Sequence, residues 1–349
     1  MVLSLNKKLP IRKRRAVNHQ NLVNMAPLDP AKPVPLVVRP ATDGVDLCAW
    51  ARANRDDLDQ RLLQHGGILF RGFDVGEIEH LEAFIEAISG SLLEYKERSS
   101  PRHEVKGNIY TSTDHPANQH IFLHNENSYQ KAWPMKIFFM CVTVPGSGGE
   151  TPIADCRKVL QRIDPAIRDQ LVEKGFRIVR NYGSGMGLPW QTVFQTEDRA
   201  VVDDYCRQNG VSTEWKADGG LRTVTHRPAV ARHPRTGEPI WFNHGTFFHV
   251  TTLDDALAQV LMASMDETDL PTNTYWGDGT PFEDKVLDHL RKAYRDEVVI
   301  FPWQKGDILM LDNMLAAHAR EPFTGERKVV VGMSEAIVRG PETEYRPPA

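Results

Sequence analysis

The chain is poor in cysteine. Four residues in 349, Cys48, Cys141, Cys156 and Cys206, are scattered with no C-x-x-C and no short regular spacing. That excludes a disulfide framework and a zinc knot, and it suits a reducing cytoplasm. Long apolar runs are also missing: the longest, "IFFMCVTV" at 137–144, is the length of a buried strand and far short of the roughly 18–20 residues a membrane helix needs. There is no basic excess either. A formal net charge of −4 removes any whole-chain reason to expect a nucleic-acid partner. What is present, 41% hydrophobic and 25% charged residues, is the make-up of an ordinary soluble globular protein with a large core.

Charge is uneven along the chain. "NKKLPIRKRR" packs six Lys/Arg into residues 6–15, and the Pro-rich "APLDPAKPVPLVVRP" follows at 26–40. No apolar segment backs the basic residues as a secretory signal would require. Proline fixes φ and withholds N–H donors, so residues 1–40 are expected to form an extended arm or a lead-in to an edge strand. Residues 41–349 are expected to form a single domain.

Helical spacing appears in "RANRDDLDQRLLQHGG" and "EIEHLEAFIEAISG", each stopped by glycine. From residue 109 the pattern turns to strands, "NIYTST", "IFLHNENSY" and "KIFFMCVTV". Helix signals return in "DCRKVLQRI", "DPAIRDQLVEKG", "TEDRAVVDDYCRQNG", "LDDALAQVLMASM" and "PFEDKVLDHLRKAY". "LRTVTHRPAVARHPRTGEPIWFNH" reads as a hairpin turning at "HPRTGEP", and "EVVIFPW", "GDILMLDNM" and "KVVVGMSEAIV" read as closing strands. Strands at both ends with helices between them predict an α+β chain: a double-stranded β-helix, the jelly-roll or cupin-type barrel, with flanking and inserted helices.

In "IFLHNENSYQ" a histidine and a carboxylate, His124 and Glu126, stand two positions apart. On a strand they project from one face. Alone the pair is a common surface pattern. A third donor, His318 in "LMLDNMLAAHAREPFTGER", is placed to face the same cavity from an opposite sheet. Two imidazoles and a carboxylate compose the facial triad of non-haem Fe(II) sites. Arg327, nine positions after His318, suits a bidentate pairing with a buried carboxylate, and Thr151 adds a hydroxyl donor. The same three donors would also serve Zn²⁺ in a hydrolase, in which case Arg327 and Thr151 have no assigned task. A degenerate barrel that binds metal and ligand without catalysis is a further alternative.

Taken in order, "LHNENSY", "VPGSGGETPIADCRKVL", "HPRTGEPIWFNHGTFFH" and "GDILMLDNMLAAHAREPFTGERKVVVGM" resemble the TauD/TfdA-like superfamily of Fe(II)/2-oxoglutarate oxygenases, over roughly residues 60–340. Within it the chain most resembles the SyrP-like branch, typified by the aspartyl hydroxylase of the syringomycin pathway. The resemblance implies His124, Glu126 and His318 as iron ligands and Thr151 and Arg327 as holders of the 2-oxoglutarate carboxylate, with Arg320 as a rival for that last role. It implies dioxygen as co-substrate and hydroxylation of an unactivated C–H on an amino-acid-type substrate, free or tethered to a carrier protein, in natural-product biosynthesis. Desaturation and cyclisation are the alternatives within the family. Related halogenases carry Ala or Gly where this chain has Glu126, so oxygen insertion is expected rather than halogenation.

Asn127, Arg222, Arg227, Asn243 and Arg320 are candidate substrate contacts, with Ser128, Arg232, His244 and His249 as further cavity-wall candidates. Asp312 and Asn313 are expected to orient His318. Neither a membrane nor a nucleic-acid partner is expected, and a homo-oligomer is left open.

Overall fold

Residues 22–93, 104–112, 115–183 and 187–347 are described by the computed structural model. Its centre follows from period-2 alternation in two apolar strands. In Ala132–Thr143, Phe138 and Met140 enter one core while Ile137, Phe139 and Cys141 enter another. Ile308–Asp312 divides the same way, Ile308 and Met310 against Leu309 and Leu311. Both faces are covered, which is why these segments read as unbroken apolar runs.

The two strands pair antiparallel inside an eight-stranded sheet, running in spatial order Val23–Asp29, Lys32–Pro40, Gly67–Phe70, Ile308–Asp312, Ala132–Thr143, Lys328–Val338, Ile109–Thr111 and Glu104–Lys106. Of the stretch expected to be an arm, residues 1–21 lie outside the described residues. Residues 23–40 form the edge hairpin of this sheet, and Lys32–Pro40 lies parallel to Gly67–Phe70.

One face of the sheet carries helices Leu47–Ala53, Arg55–His65 and Ile78–Ser89 through Trp50, Leu58, Leu62, Leu81, Phe84 and Ile88. Arg55–His65 ends where glycine is required: Gly66 has φ 71° and its N–H caps Leu62 O, a left-handed stop that costs other residues strain.

The other face looks onto a three-stranded sheet, Ile121–His124, Ala316–Arg320 and Ile153–Asp155. Ala316 and Ile153 turn toward the large sheet. Ala317 and Ala319 turn outward, onto helices Cys156–Arg162, Pro165–Lys174 and Asp284–Glu297. Strand alternation therefore sends His318 inward, between the two sheets.

A four-stranded sheet, Val211–Trp215, Leu221–Arg227, Phe176–Tyr182 and Thr272–Trp276, forms a further wall. The expected hairpin divides between sheets: Leu221–Arg227 joins this wall, and after Pro228 the strands Val230–Arg232 and Pro239–Trp241 pair across "HPRTGEP". "EVVIFPW" is not a strand. The helix runs on to Glu297, and of the rest only Val299 bridges, to Ile153. Among the described residues no helix is long and apolar enough to cross a membrane, and all four cysteines are free thiols.

Candidate metal and co-substrate site

Strand pairing brings the two histidines together. His124, the last residue of Ile121–His124, stands directly opposite His318 on the antiparallel neighbour Ala316–Arg320, and their ring centroids are 4.4 Å apart. The pair thus comes from adjacent strands of one sheet, not from opposite sheets. His124 Nδ1 lies 2.9 Å from Phe122 O. A ring nitrogen facing a carbonyl carries the proton, which leaves Nε2 as the donor for a metal. The His318 ring packs on Phe139 of the large sheet, centroids 5.0 Å apart.

Glu126 is not on the strand, because the ladder stops at His124. The carboxylate sits instead in the following turn, beside Asn127 at φ 57°, and nevertheless converges: His318 Nε2 is 4.0 Å from Glu126 Oε2. One donor atom from each of His124, Glu126 and His318 lies within 4.8 Å of the others. Glu126 and His318 are buried and His124 is half-buried. Two imidazole nitrogens and one carboxylate oxygen, gathered between sheets, fit a six-coordinate Fe(II) with positions left for small molecules.

The co-substrate candidates lie along one edge of this cluster. Residues 149–153 run beside 318–322, with Ile153 opposite His318 and Ala319 N–H donating to Pro152 O at 2.8 Å. Thr151 is buried, and its Oγ1 accepts a hydrogen bond from Trp303 Nε1 at 3.2 Å, so its own hydroxyl proton is available to another acceptor. Arg327 Nε donates to Gly149 O at 2.8 Å and Nη1 to Ser112 Oγ at 3.2 Å. Burial, with the charge of Arg320 added, lowers the Arg327 pKa to about 10. A ligand carboxylate would relieve that penalty. Gly149 makes the approach feasible: its φ is 72°, and a Cβ there would meet Arg327 Cδ at 2.9 Å.

The remaining candidates are spread out. Arg320 donates to His115 O at 2.8 Å and Pro116 O at 2.6 Å, tying down the loop before Ile121–His124. Arg227 donates to Tyr129 O at 2.7 Å and Asn209 O at 2.9 Å. Arg222, in the four-stranded sheet, pairs with Asp269 at 2.6 Å and Glu214 at 3.3 Å. Asn243 is spent on Ala229 O and Gly245 N–H. Asn127 differs, since its Oδ1 is buried and accepts no hydrogen bond among the described residues. Arg232 reaches Pro341 O at the surface.

His244 stands beside the site, its ring centroid 5.8 Å from that of His124, with Nδ1 2.6 Å from Ser128 Oγ. Burial, then the nearby His124 and Arg180, push its pKa well below 6.5, so it is a neutral wall residue. His249 is set further off, against Phe282. Asn313 binds the main chain of Glu126 at 2.8 Å and 2.9 Å, and Asp312 accepts from the N–H groups of Met314 and Leu315. Sequence reading missed Trp303, whose segment read as a strand, and Phe247, whose ring lies 4.6 Å from that of His124. No spacing in the sequence points to either.

Known proteins resemble the chain over most of its length. The family model "Taurine catabolism dioxygenase TauD, TfdA family" matches residues 27–333. The dapdiamide synthesis protein DdaC of Enterobacter agglomerans is 38% identical over 323 residues, 89% of this chain and 98% of that protein. A clavaminate synthase-like protein of Arabidopsis thaliana is 29% identical over 322 residues, 87% and 94% of the two chains. The crystal structure of PvcB from Pseudomonas aeruginosa shares the fold, with a TM-score of 0.56 at 18% identity, covering 96% of this chain and 98% of that one.

Proposed function

The chain belongs to the TauD, TfdA family of dioxygenases, and from that premise we propose that it hydroxylates an unactivated C–H of an amino-acid-type substrate in natural-product biosynthesis. As a member of that family it is a 2-oxoglutarate-dependent dioxygenase that uses Fe(II). The observation that carries the finer reading is the convergence of His124, Glu126 and His318 within 4.8 Å. These three would hold the iron, and the two facing sheets are read as the walls of a jelly-roll barrel around it.

With Fe(II) and 2-oxoglutarate bound, the site would supply activation of dioxygen, one oxygen atom going to the succinate formed as carbon dioxide leaves and the other to the substrate. The chain's own residues bind and orient. Arg327 and the Thr151 hydroxyl would take the far carboxylate of 2-oxoglutarate, with Trp303 fixing the Thr151 rotor. Phe139 and Phe247 flank the imidazoles and exclude water from the reacting face. Asn127 Oδ1 is offered as the acceptor for a substrate N–H. Arg222, Arg227, Asn243 and Arg320 have main-chain or ion-pair partners and are read as supports of the walls.

A carboxylate at position 126 fills the place a halide would need, so oxygen insertion is favoured over halogenation. Kinship with a dapdiamide synthesis protein supports a biosynthetic setting. Within the family we place the chain with the aspartyl-hydroxylase-type, SyrP-like branch, acting in the cytoplasm on a free or carrier-tethered aminoacyl group. Desaturation is the second reading, favoured by a 23% identical relative from Fischerella ambigua named 3-((Z)-2-isocyanoethenyl)-1H-indole synthase, whose named product contains an alkene. Mass spectrometry of free and carrier-loaded amino acids, incubated with Fe(II), 2-oxoglutarate and oxygen, decides between them. Gain of one oxygen supports hydroxylation, loss of two hydrogens supports desaturation, and succinate release with no substrate change overturns the substrate class.

A further inference from the structure

The carboxylate of the triad is not held by the strand that holds its neighbour. Ile121–His124 ends at His124, so no ladder bond fixes residue 126. A side chain takes the place of the missing strand. Asn313 Oδ1 accepts the Glu126 N–H at 2.8 Å, and Asn313 Nδ2 donates to Glu126 O at 2.9 Å and to Pro134 O at 2.9 Å. Both main-chain polar groups of Glu126 are thereby paired by one amide, as a neighbouring strand would pair them.

The amide is itself immobilised. Asn313 is fully buried; its N–H donates to Met135 O at 2.8 Å, and its carbonyl accepts from Asn125 Nδ2 at 2.7 Å. The preceding residue locks the turn: Asp312 Oδ1 accepts from the N–H groups of Met314 and Leu315 at 2.9 and 3.0 Å. Asp312 Oδ2 lies 3.1 Å from His233 Nε2. His233 Nδ1 accepts from the N–H groups of Arg235 and Thr236 at 3.3 and 3.1 Å, which puts the imidazole proton on Nε2, facing the carboxylate. His233, Asp312 and Asn313 form one buried chain of contacts ending on Glu126.

We propose that Asn313 is the positioning residue of the metal site: its amide sets the main chain from which Glu126 projects, and Asp312 and His233 hold that amide in place. The inference rests on the reading of His124, Glu126 and His318 as metal ligands. A glutamate has one more rotatable bond than an aspartate between main chain and carboxylate, so its main-chain origin must be held the more firmly for the oxygen to arrive in place. Replacing Asn313 by Asp keeps the shape and the acceptor but removes both N–H donors and sets an oxygen against two carbonyls. Replacing it by Ala removes the whole clamp.

The test uses Co(II) as probe, titrated into the full-length metal-free protein and read by visible absorption, with circular dichroism and thermal melting of the metal-free protein alongside. Wild type, Glu126→Ala, Asn313→Asp and Asn313→Ala are compared. Residues behind a metal ligand are typically worth 10–100-fold in affinity, and a loss of about that size is expected in both Asn313 variants, with an altered cobalt band. If Asn313→Ala does not fold, the isosteric Asp variant carries the test. A purely structural role lowers the metal-free melting temperature alone. Folded Asn313 variants that bind Co(II) within two-fold of wild type, with the same band, while Glu126→Ala loses binding, overturn this inference and leave the triad standing. Equal binding by wild type and Glu126→Ala removes the triad reading, and this inference with it.

Discussion

Two kinds of wall meet at the site. The imidazoles stand on strands: His124 and His318 face each other in antiparallel register, and the strand of His318 is paired on its other side with Ile153–Asp155. Phe139 also stands on a strand; the carboxylate and the rest of the aromatic lining stand on turns, Glu126 in the turn after His124, and His244 and Phe247 in the stretch between Trp241 and the short turn Val250–Thr252. A strand-borne donor is fixed by many distributed bonds, and a turn-borne donor by a few nameable ones. The histidine pair should therefore tolerate change in its surroundings, while the turn-borne half fails at single contacts.

Removing the donors themselves breaks both halves at once. His318→Ala and Glu126→Ala should each lower substrate-dependent succinate formation by at least about 100-fold, the upper end of what residues behind a ligand cost, with metal-free folding retained by circular dichroism. Retained turnover in either variant would mean that the ligand set is wrong. Next in size is Arg327→Gln. Losing a charge-assisted carboxylate contact of about 2–3 kcal/mol should raise the KM for 2-oxoglutarate by roughly 30–150-fold and leave the affinity for the amino-acid substrate within a few-fold.

Gly149→Ala probes the same end without touching a charge. A left-handed residue made to carry a Cβ costs on the order of 1 kcal/mol, and the added carbon meets Arg327 Cδ. The 2-oxoglutarate KM should rise several-fold and the melting temperature should fall slightly; an unchanged KM would show that Arg327 is not the carboxylate holder. The smallest effect concerns the turn-borne wall. His249 caps Val250–Thr252 by accepting the Thr251 N–H, and burial, then the charge of Arg291, lowers its pKa from 6.5 to about 4. Below pH 6.5 the unfolded chain takes up a proton that the folded chain resists. Its contribution to stability therefore declines between pH 6.5 and about 4 and is level below that. His249→Asn keeps a capping acceptor and should flatten this limb of a melting-temperature profile by a few degrees.

Much of the strand-borne half was legible. The helix stops at Gly66 and Gly90, the apolar strands and the approach of His124 to His318 follow from local spacing or family resemblance. The turn-borne half was not. Period-2 logic put Glu126 on the strand, yet the ladder ends two residues earlier, because where pairing stops depends on a partner strand far away in sequence. The contact that replaces the ladder, Asn313 on Glu126, spans 187 residues. The prolines of 23–40 left an arm and an edge strand both open, and Thr272–Trp276 became a strand only by pairing with Phe176–Tyr182.

The most direct measurement is the anaerobic visible spectrum on adding Fe(II) and then 2-oxoglutarate to the metal-free protein. An iron site of His124, Glu126 and His318 with a co-substrate held by Arg327 predicts a weak metal-to-ligand charge-transfer band that appears only when both are present. Well-folded protein that shows no band at saturating Fe(II) and 2-oxoglutarate would contradict the account.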